Sequence, residues 1–163
     1  IDKGEEIKVY FDATKALFKT DNIAISTRLL KGAFPDVSRF IPPLFKYKFV
    51  VNADDFINAT ERAKIMSEIG KDHNCLVKLI LKDNCASLHS SDHNYGNSQE
   101  DLKASVDLNG DEIFEIGFNA NYVLDAIKAL NSESVEFGFN SATKLFKVGG
   151  DEDTIQIVTP IRI

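Results

Sequence analysis

Side chains that could bind zinc are concentrated in the middle of the sequence: His73, Cys75, Cys85, His89 and His93. A structural zinc site needs about four such ligands around one point. The pair Asp83-Asn84 is typical of a hairpin turn, which would set Cys85 opposite Lys82 and leave Cys75 about seven residues along the partner strand. At about 3.3 Å per residue, the two thiols are then more than about 20 Å apart, too far for one metal or one disulfide.

Three of these residues could still converge, namely His73, Cys75 and His93, so a small metal-dependent hydrolase remains an alternative hypothesis. Two acidic turns, Asp151-Glu152-Asp153 and Asn109-Gly110-Asp111, lack the ligand spacing of a calcium-binding loop. We find no nucleophile elbow, phosphate-binding glycine loop or paired carboxylates in the sequence. We therefore predict no catalytic residues, no metal and no cofactor, and a protein that is not an enzyme.

Composition and charge narrow the class of protein. The chain has 163 residues, of which 44% are hydrophobic and 27% are charged, as expected for one folded core with or without a fragment of a second. No apolar run approaches the roughly 20 residues of a membrane-spanning helix. We expect no signal peptide, and with two cysteines we expect a cytoplasmic location. Because the first residue is Ile rather than Met, we expect a piece of a longer protein.

The charge is unevenly distributed along the chain. Residues 1–41 contain 7 Lys and Arg against 6 Asp and Glu, whereas residues 42–163 contain 12 against 19. An acidic domain is a poor candidate for binding nucleic acid by neutralising phosphates, which requires clustered Lys and Arg. Any role on DNA would therefore have to work without high intrinsic affinity.

Hydrophobic periodicity predicts short strands before a proline-containing loop at Gly32–Pro43, which we interpret as a linker. After this loop, the order strand, helix, three strands occurs twice. The helix starts NADDFINA and NANYVLDA are alike, with Asn52 and Asn119 as caps. The predicted elements are strands at 6–11, 16–19 and 23–30, then a strand at 45–49, helix 53–69 and strands 75–82, 85–91 and 101–108, then strand 113–118, helix 120–130 and strands 135–139, 144–148 and 154–161.

These elements predict an α+β fold. Two strand-helix-three-strand units would form a pseudo-twofold pair, with both helices on one side of antiparallel sheets. We expect residues 42–163 to form this domain completely. Residues 1–41 would be the last strands of a preceding copy, and we expect them to be incomplete because three lone strands cannot bury an apolar face.

Three segments of the sequence, GAFPDVSRFIP, IGFNANYVLDAIKAL and IQIVTPIRI, resemble those of the bacterial DNA polymerase III beta subunit family, the sliding clamps. The resemblance covers nearly the whole chain. It implies the DNA-clamp fold, with residues 42–163 as the third, C-terminal clamp domain and residues 1–41 as the end of the second domain.

The resemblance also implies a function. Family members are head-to-tail ring homodimers of six domains that encircle double-stranded DNA and act as processivity factors. Their partners are the DNA polymerase III alpha subunit, the clamp loader and repair proteins, which dock through short peptide motifs. The implied location is the nucleoid in the cytoplasm, away from any membrane. A topological link to DNA needs no strong contacts, which fits the acidic domain. A generic protein-interaction module without a DNA role remains an alternative.

The resemblance further implies a peptide-binding groove. Apolar residues would form its dry wall and arginines would bind the peptide backbone. The residues that match are Pro35, Arg39, Phe40, Asn119, Tyr122, Thr143, Leu145, Ile157, Thr159, Pro160, Ile161 and Arg162. Thr159 stands where the family usually has a larger apolar residue. Phe40 stands where many family members have a smaller aliphatic one. The alternative is that Pro160 merely ends the last strand and Tyr122 packs in the core.

Two more surfaces follow from the resemblance. Lys64 is predicted in a polar arc with Thr60 and Glu61 on the first helix, and Lys128 in a polar stripe with Asn121 and Asp125 on the second. The resemblance makes Lys64 and Lys128 candidates for the DNA-facing lumen, although both arcs could be ordinary solvated faces. Ile65 and Met66 match dimer-interface residues. The alternative for Ile65 is an apolar residue that is merely partly exposed.

Overall fold

The computed structural model describes residues 6–34, 36–69, 75–92, 96–150 and 154–163, with the backbone alone for Ser38, Phe40, Glu68 and Ile69. It divides into two compact units, Ile1–Val37 and Ser38–Ile163. In the described part of the chain, no helix is long and apolar enough to cross a membrane.

The first unit contains one antiparallel sheet in the order β1-β2-β3, formed by β1 (Lys8–Phe11), β2 (Lys15–Lys19) and β3 (Ala24–Arg28). The apolar side chains of Val9, Phe18 and Ile25 are exposed on it. Three strands without a layer on top cannot cover such side chains. This unit therefore exposes apolar surface of the kind that a folded domain normally covers.

The second unit has two antiparallel sheets and two helices. A short 3-10 helix at Val37–Phe40 precedes its first strand. In chain order its elements are β4 (Tyr47–Asn52), α1 (Ala53–Ile69), β5 (Leu76–Lys82), β6 (Cys85–Asp92), β7 (Gly96–Lys103), β8 (Ser105–Asp107), β9 (Ile113–Asn119), α2 (Ala120–Leu130), β10 (Ser134–Phe139), β11 (Phe146–Gly149) and β12 (Ile155–Val158). The strand orders are β12-β11-β10-β4-β8 and β7-β6-β5-β9.

The predicted repeat is confirmed, and the two copies exchange their opening strands. β4 opens the first copy but pairs with β10 of the second, with Phe49 opposite Phe137. β9 opens the second copy but pairs with β5 of the first, with Ile116 opposite Leu79. Helices α1 and α2 contact each other in one layer. This reciprocal exchange produces the pseudo-twofold α+β fold that the sequence predicts.

Both helices begin at the asparagines that the sequence identifies as caps. The Asn52 Oδ1 accepts a hydrogen bond from the Asp55 backbone N–H at 3.1 Å, and the Asn119 Oδ1 accepts from the N–H groups of Asn121 and Tyr122 at 2.9 and 3.3 Å. These bonds satisfy donors that have no partner within the helix, so the caps fix where each helix starts.

The first helical residue of each copy is also tied to the other copy. The Ala53 N–H donates to the Glu133 carbonyl at 2.9 Å, and the Ala120 N–H donates to the Cys75 carbonyl at 2.8 Å. Each acceptor precedes the strand that pairs with the other copy's opening strand. The hydrogen bonds at the helix starts therefore follow the same pseudo-twofold relation as the sheets.

The single strand predicted at 101–108 is wrong. The structure breaks it at Ala104: β7 ends at Lys103 beside β6, and β8 pairs with β4 in the other sheet. The strand predicted at 154–161 similarly ends at Val158. Alternation of apolar and polar residues indicates which face of a sheet a residue occupies, but not which sheet its strand joins. The alternation can therefore continue across a point where the chain leaves one sheet and enters another.

The strand predicted at 144–148 begins two residues later, at Phe146, because a turn occupies Ala142 and Thr143. A glycine directly after a helix commonly ends it, and the sequence predicts this role for Gly70, which lies outside the described residues. The turn at Asp83-Asn84 is present, and Cys85 lies opposite Lys82 as predicted.

Phenylalanine rings from both sheets and from α1 form the centre of the second unit. Ring centroids lie 4.9 Å apart for Phe56 and Phe137, 5.3 Å for Phe139 and Phe146, and 6.4 Å for Phe118 and Phe146. Each of these rings is buried. Because they come from β9, α1, β10 and β11, the aromatic core joins the two copies into one domain.

Thr60 does not lie in the polar arc predicted for α1. Its side chain is fully buried, and its Oγ1 has no hydrogen-bond partner among the described residues. Burying a hydroxyl without a partner costs about 1–3 kcal/mol. The polarity of Thr60 predicts exposure, but its position on the helix decides its burial.

Replacing Thr60 by Val is expected to raise the free energy of unfolding by about 1 kcal/mol, because the shape is kept and the unpaired hydroxyl is removed. Thr60→Ser is the matched control, since it keeps the hydroxyl and removes the methyl group, and should lower stability. Urea unfolding of both variants measures this. If Thr60→Val is less stable than the unchanged protein, the Thr60 hydroxyl must have a hydrogen-bond partner in solution.

Candidate functional site

A groove of about 360 Å³ lies between the first turns of α2 and the strand β12. Its walls combine apolar side chains from both elements with the polar groups of Asp125 and Gln156. The lining residues are Tyr122, Asp125, Ala126, Gln156, Ile157, Val158 and Thr159. A concave surface with an apolar wall and a few polar groups is suited to bind an apolar side chain of a ligand.

Helix α2 explains why Tyr122 faces this groove. Val123, Leu124 and Ile127 form an apolar stripe along the helix, and all three are buried. Tyr122 lies beside that stripe and is 63% exposed. The alternative that Tyr122 packs in the core is therefore wrong. The Asn119 cap holds the Tyr122 backbone, so the ring projects from a fixed position.

Strand β12 forms the other wall of the groove. It is the last strand of its sheet and pairs with β11, with Ile157 opposite Lys147. Ile157 is partly buried and Thr159 is exposed immediately after the strand. Three predicted site residues, Tyr122, Ile157 and Thr159, are thus brought together.

The other predicted residues that the structure describes do not line this groove. Asn119 is partly buried at its cap, and Thr143 and Leu145 lie before β11. Pro160, Ile161 and Arg162 follow β12, where the Ile161 N–H donates to the Gly117 carbonyl at 2.8 Å. Arg39 is exposed in the 3-10 helix. Pro35 and the side chain of Phe40 lie outside the described residues.

Sequence reasoning missed several groove residues, among them Ala126, Gln156 and Val158. Asp125, which the sequence predicts in a polar stripe with Lys128, also lines the groove. A signal was present, since Asp125 and Ala126 follow Tyr122 by three and four residues and so share its side of the helix. No comparable spacing connects β12 to α2.

The two lysines predicted for the lumen meet at one carboxylate. The Lys64 Nζ lies 2.7 Å from one oxygen of Glu61, and the Lys128 Nζ lies 3.3 Å from the other. Lys64 also approaches the Asn121 Oδ1 at 3.4 Å. The hydrogen bond from Lys64, followed by that from Lys128, holds the pKa of Glu61 below its usual value. The sequence places Glu61 beside Lys64 but does not reveal that it also binds Lys128.

The other candidate surface residues lie further along α1. Ile65 is exposed and Met66 is partly buried. Beside them, Arg62 forms an ion pair with Glu100 of β7 at 2.7 Å. The end of α1 therefore presents an apolar side chain next to a paired charge.

The possible metal ligands are not assembled in the part of the chain that the structure describes, where no group of three His, Cys, Asp or Glu could hold a metal. Cys75 is buried and Cys85 is exposed. The Asn121 side-chain amide donates to the Cys75 sulfur at 3.2 Å. His73, His93 and the acidic turn at 151–153 lie outside the described residues.

Two sheets that exchange their opening strands, with both helices in one layer, define a DNA-clamp domain. The model of the DNA polymerase III beta subunit, C-terminal domain, matches residues 38–162. The chain therefore belongs to the DNA polymerase III beta subunit family.

Individual relatives agree with this assignment. The chain is 35% identical to the beta sliding clamp of Streptococcus pneumoniae and 32% identical to that of Staphylococcus aureus, in each case over 99% of this chain and 42% of the relative. The crystal structure of the DNA polymerase III beta chain from Streptococcus pneumoniae superposes with a TM-score of 0.82 at 34% identity, covering 96% of this chain and 41% of that one. The chain spans less than half the length of these relatives.

Proposed function

We propose that the chain is the C-terminal part of a DNA polymerase processivity factor that acts as a ring. Residues 42–163 would be the complete third clamp domain, and residues 1–41 the last strands of the second. The reciprocal strand exchange, with α1 and α2 in one layer, is the observation that carries this proposal. The exposed apolar side chains of the first unit also support it, because the rest of the second domain would cover them.

In the ring, the helices face the lumen, so Lys64 and Lys128 are the residues proposed to meet double-stranded DNA. The ring would hold DNA by encirclement and perform no catalysis, which suits a chain with a net charge of -6. Its proposed location is the nucleoid in the cytoplasm. Ile65 and Met66, at the end of α1, are proposed to contact the second subunit of a homodimer, because burial there would remove an exposed apolar side chain from water.

The groove beside Tyr122 is proposed to bind the short peptide motifs of the polymerase alpha subunit, the clamp loader and repair proteins. An apolar side chain of the motif would lie against Ile157 and the Tyr122 ring. The proposal also includes the other residues that match the family: Pro35, Arg39, Phe40, Asn119, Thr143, Leu145, Thr159, Pro160, Ile161 and Arg162.

Replacing Tyr122 by Ala is expected to weaken binding of a clamp-binding motif peptide about tenfold or more, because an aromatic contact at a groove centre contributes at least about 1.4 kcal/mol. The measurement is calorimetric titration of the complete ring protein that contains this chain. Tyr10→Ala is the matched control, since Tyr10 on β1 is 54% exposed in this chain, close to the 63% of Tyr122, but does not line the groove. Equal losses in both variants, or none in Tyr122→Ala, would contradict the assignment of the groove.

A further inference from the structure

The contact between the two helices concentrates charge at one point. Glu61 is the acceptor for two ammonium groups that come from different helices, Lys64 of α1 and Lys128 of α2. One carboxylate thus neutralises about half of the positive charge that these lysines bring to the surface.

The two lysines are held unequally. Lys64 is 19% exposed, and its Nζ lies 2.7 Å from Glu61, with Asn121 nearby. Lys128 is 54% exposed, and its Nζ lies 3.3 Å from the carboxylate. An exposed ion pair contributes little to stability, so an incoming anion can replace Glu61 as the partner of Lys128 at little cost. Lys64 is only partly buried, but its shorter contact with Glu61 and its lower exposure resist the same exchange.

We propose that Glu61 is an internal counter-ion for the helical surface, which binds Lys128 until a phosphate of double-stranded DNA takes its place. This inference rests on the proposed function, because it requires the helices to face DNA. Glu61 competes with each phosphate and remains as a fixed negative charge beside it. The carboxylate therefore lowers the affinity of the surface for DNA and favours a ring that moves along the duplex.

The test is the salt dependence of binding between the complete ring protein and a short DNA duplex, measured by fluorescence anisotropy. In the unchanged protein, Lys128 already neutralises a phosphate when DNA is bound. In Glu61→Gln, Lys64 loses its bond to Glu61 and can neutralise a further phosphate. The plot of log K against log salt should then become steeper by about 0.9, and affinity at low salt should rise because no carboxylate competes with the phosphates. Lys128→Gln should make the slope shallower by about 0.9.

Asp54→Asn is the matched control, because it makes the same charge change seven residues earlier on the same side of α1 and forms no ion pair among the described residues. Its slope should stay close to that of the unchanged protein. If Lys128→Gln reduces the slope but Glu61→Gln does not raise it, the counter-ion inference is wrong although the helices face DNA. If neither variant changes the slope, the lumen assignment fails and the inference fails with it. Circular dichroism checks that both variants are folded.

Discussion

Replacing Phe137 by Ala is expected to lower the free energy of unfolding by about 3–5 kcal/mol, the cost of removing a large aromatic side chain from a packed core. Phe137 is 1% exposed, and its ring lies 5.3 Å from Phe49 and 4.9 Å from Phe56. Phe137 on β10 of the second copy therefore packs against β4 and α1 of the first copy, and it joins the two copies. Folded domains are stable by only about 5–15 kcal/mol, so this loss is a large fraction of the total.

Urea unfolding, followed by far-ultraviolet circular dichroism, measures the effect of Phe137→Ala. With a slope of about 1–3 kcal/mol per molar urea, the midpoint should fall by more than about 1 M. Phe34→Ala is the matched control, because the Phe34 ring is 86% exposed and its removal should change stability by less than about 0.5 kcal/mol. A small shift in Phe137→Ala would mean that the two copies fold without a shared aromatic core.

The helices were the most predictable part of the fold, because their signals are local. Asn52 and Asn119 each supply a side-chain acceptor for the first turn, and the observed helices, Ala53–Ile69 and Ala120–Leu130, have the predicted bounds. The repeat was predictable for the same reason, since it is a change of period that occurs twice.

Pairing between strands was less predictable, because it depends on residues far apart in the chain. The exchange of β4 and β9 between copies leaves no local trace, and neither does the crossing from β7 to β8. The burial of Thr60 is a related case. Its position on α1 turns the Thr60 side chain into the core, whereas the neighbouring polar residues predict that it is exposed.

The groove was predictable only in part. Residue types matching a known family pointed to Tyr122, Ile157 and Thr159, which the fold brings together. The same matching pointed to Thr143 and Leu145, which do not line the groove in this structure. Family matching transfers residue identity, whereas a groove is defined by distances between elements. Those distances follow from the sheet order, which periodicity alone does not determine.

Gly117 on β9 links the fold to the end of the chain. A Cβ at this position would lie 2.5 Å from the Ile163 side chain and 2.8 Å from the Ile161 carbonyl oxygen. Ile161 also forms its backbone bridge with Gly117. The last residues of the chain can therefore approach β9 this closely only because residue 117 has no side chain.

Gly117→Ala is expected to displace Ile161–Ile163 and to break the Ile161–Gly117 bridge, since backbone oxygen cannot move aside as a flexible side chain can. Overpacking of this kind costs about 1–3 kcal/mol, so exchange of the Ile161 amide hydrogen should accelerate about tenfold or more.

Gly110→Ala is the control. A Cβ there meets no atom within 4 Å, so the cost is backbone strain at a φ of 89°. Because Thr159 reaches the groove just before the displaced residues, motif-peptide affinity should fall in Gly117→Ala and stay unchanged in Gly110→Ala. If the Ile161 amide exchanges faster but the affinity for the motif peptide is unchanged, residues 161–163 do not contribute to peptide binding.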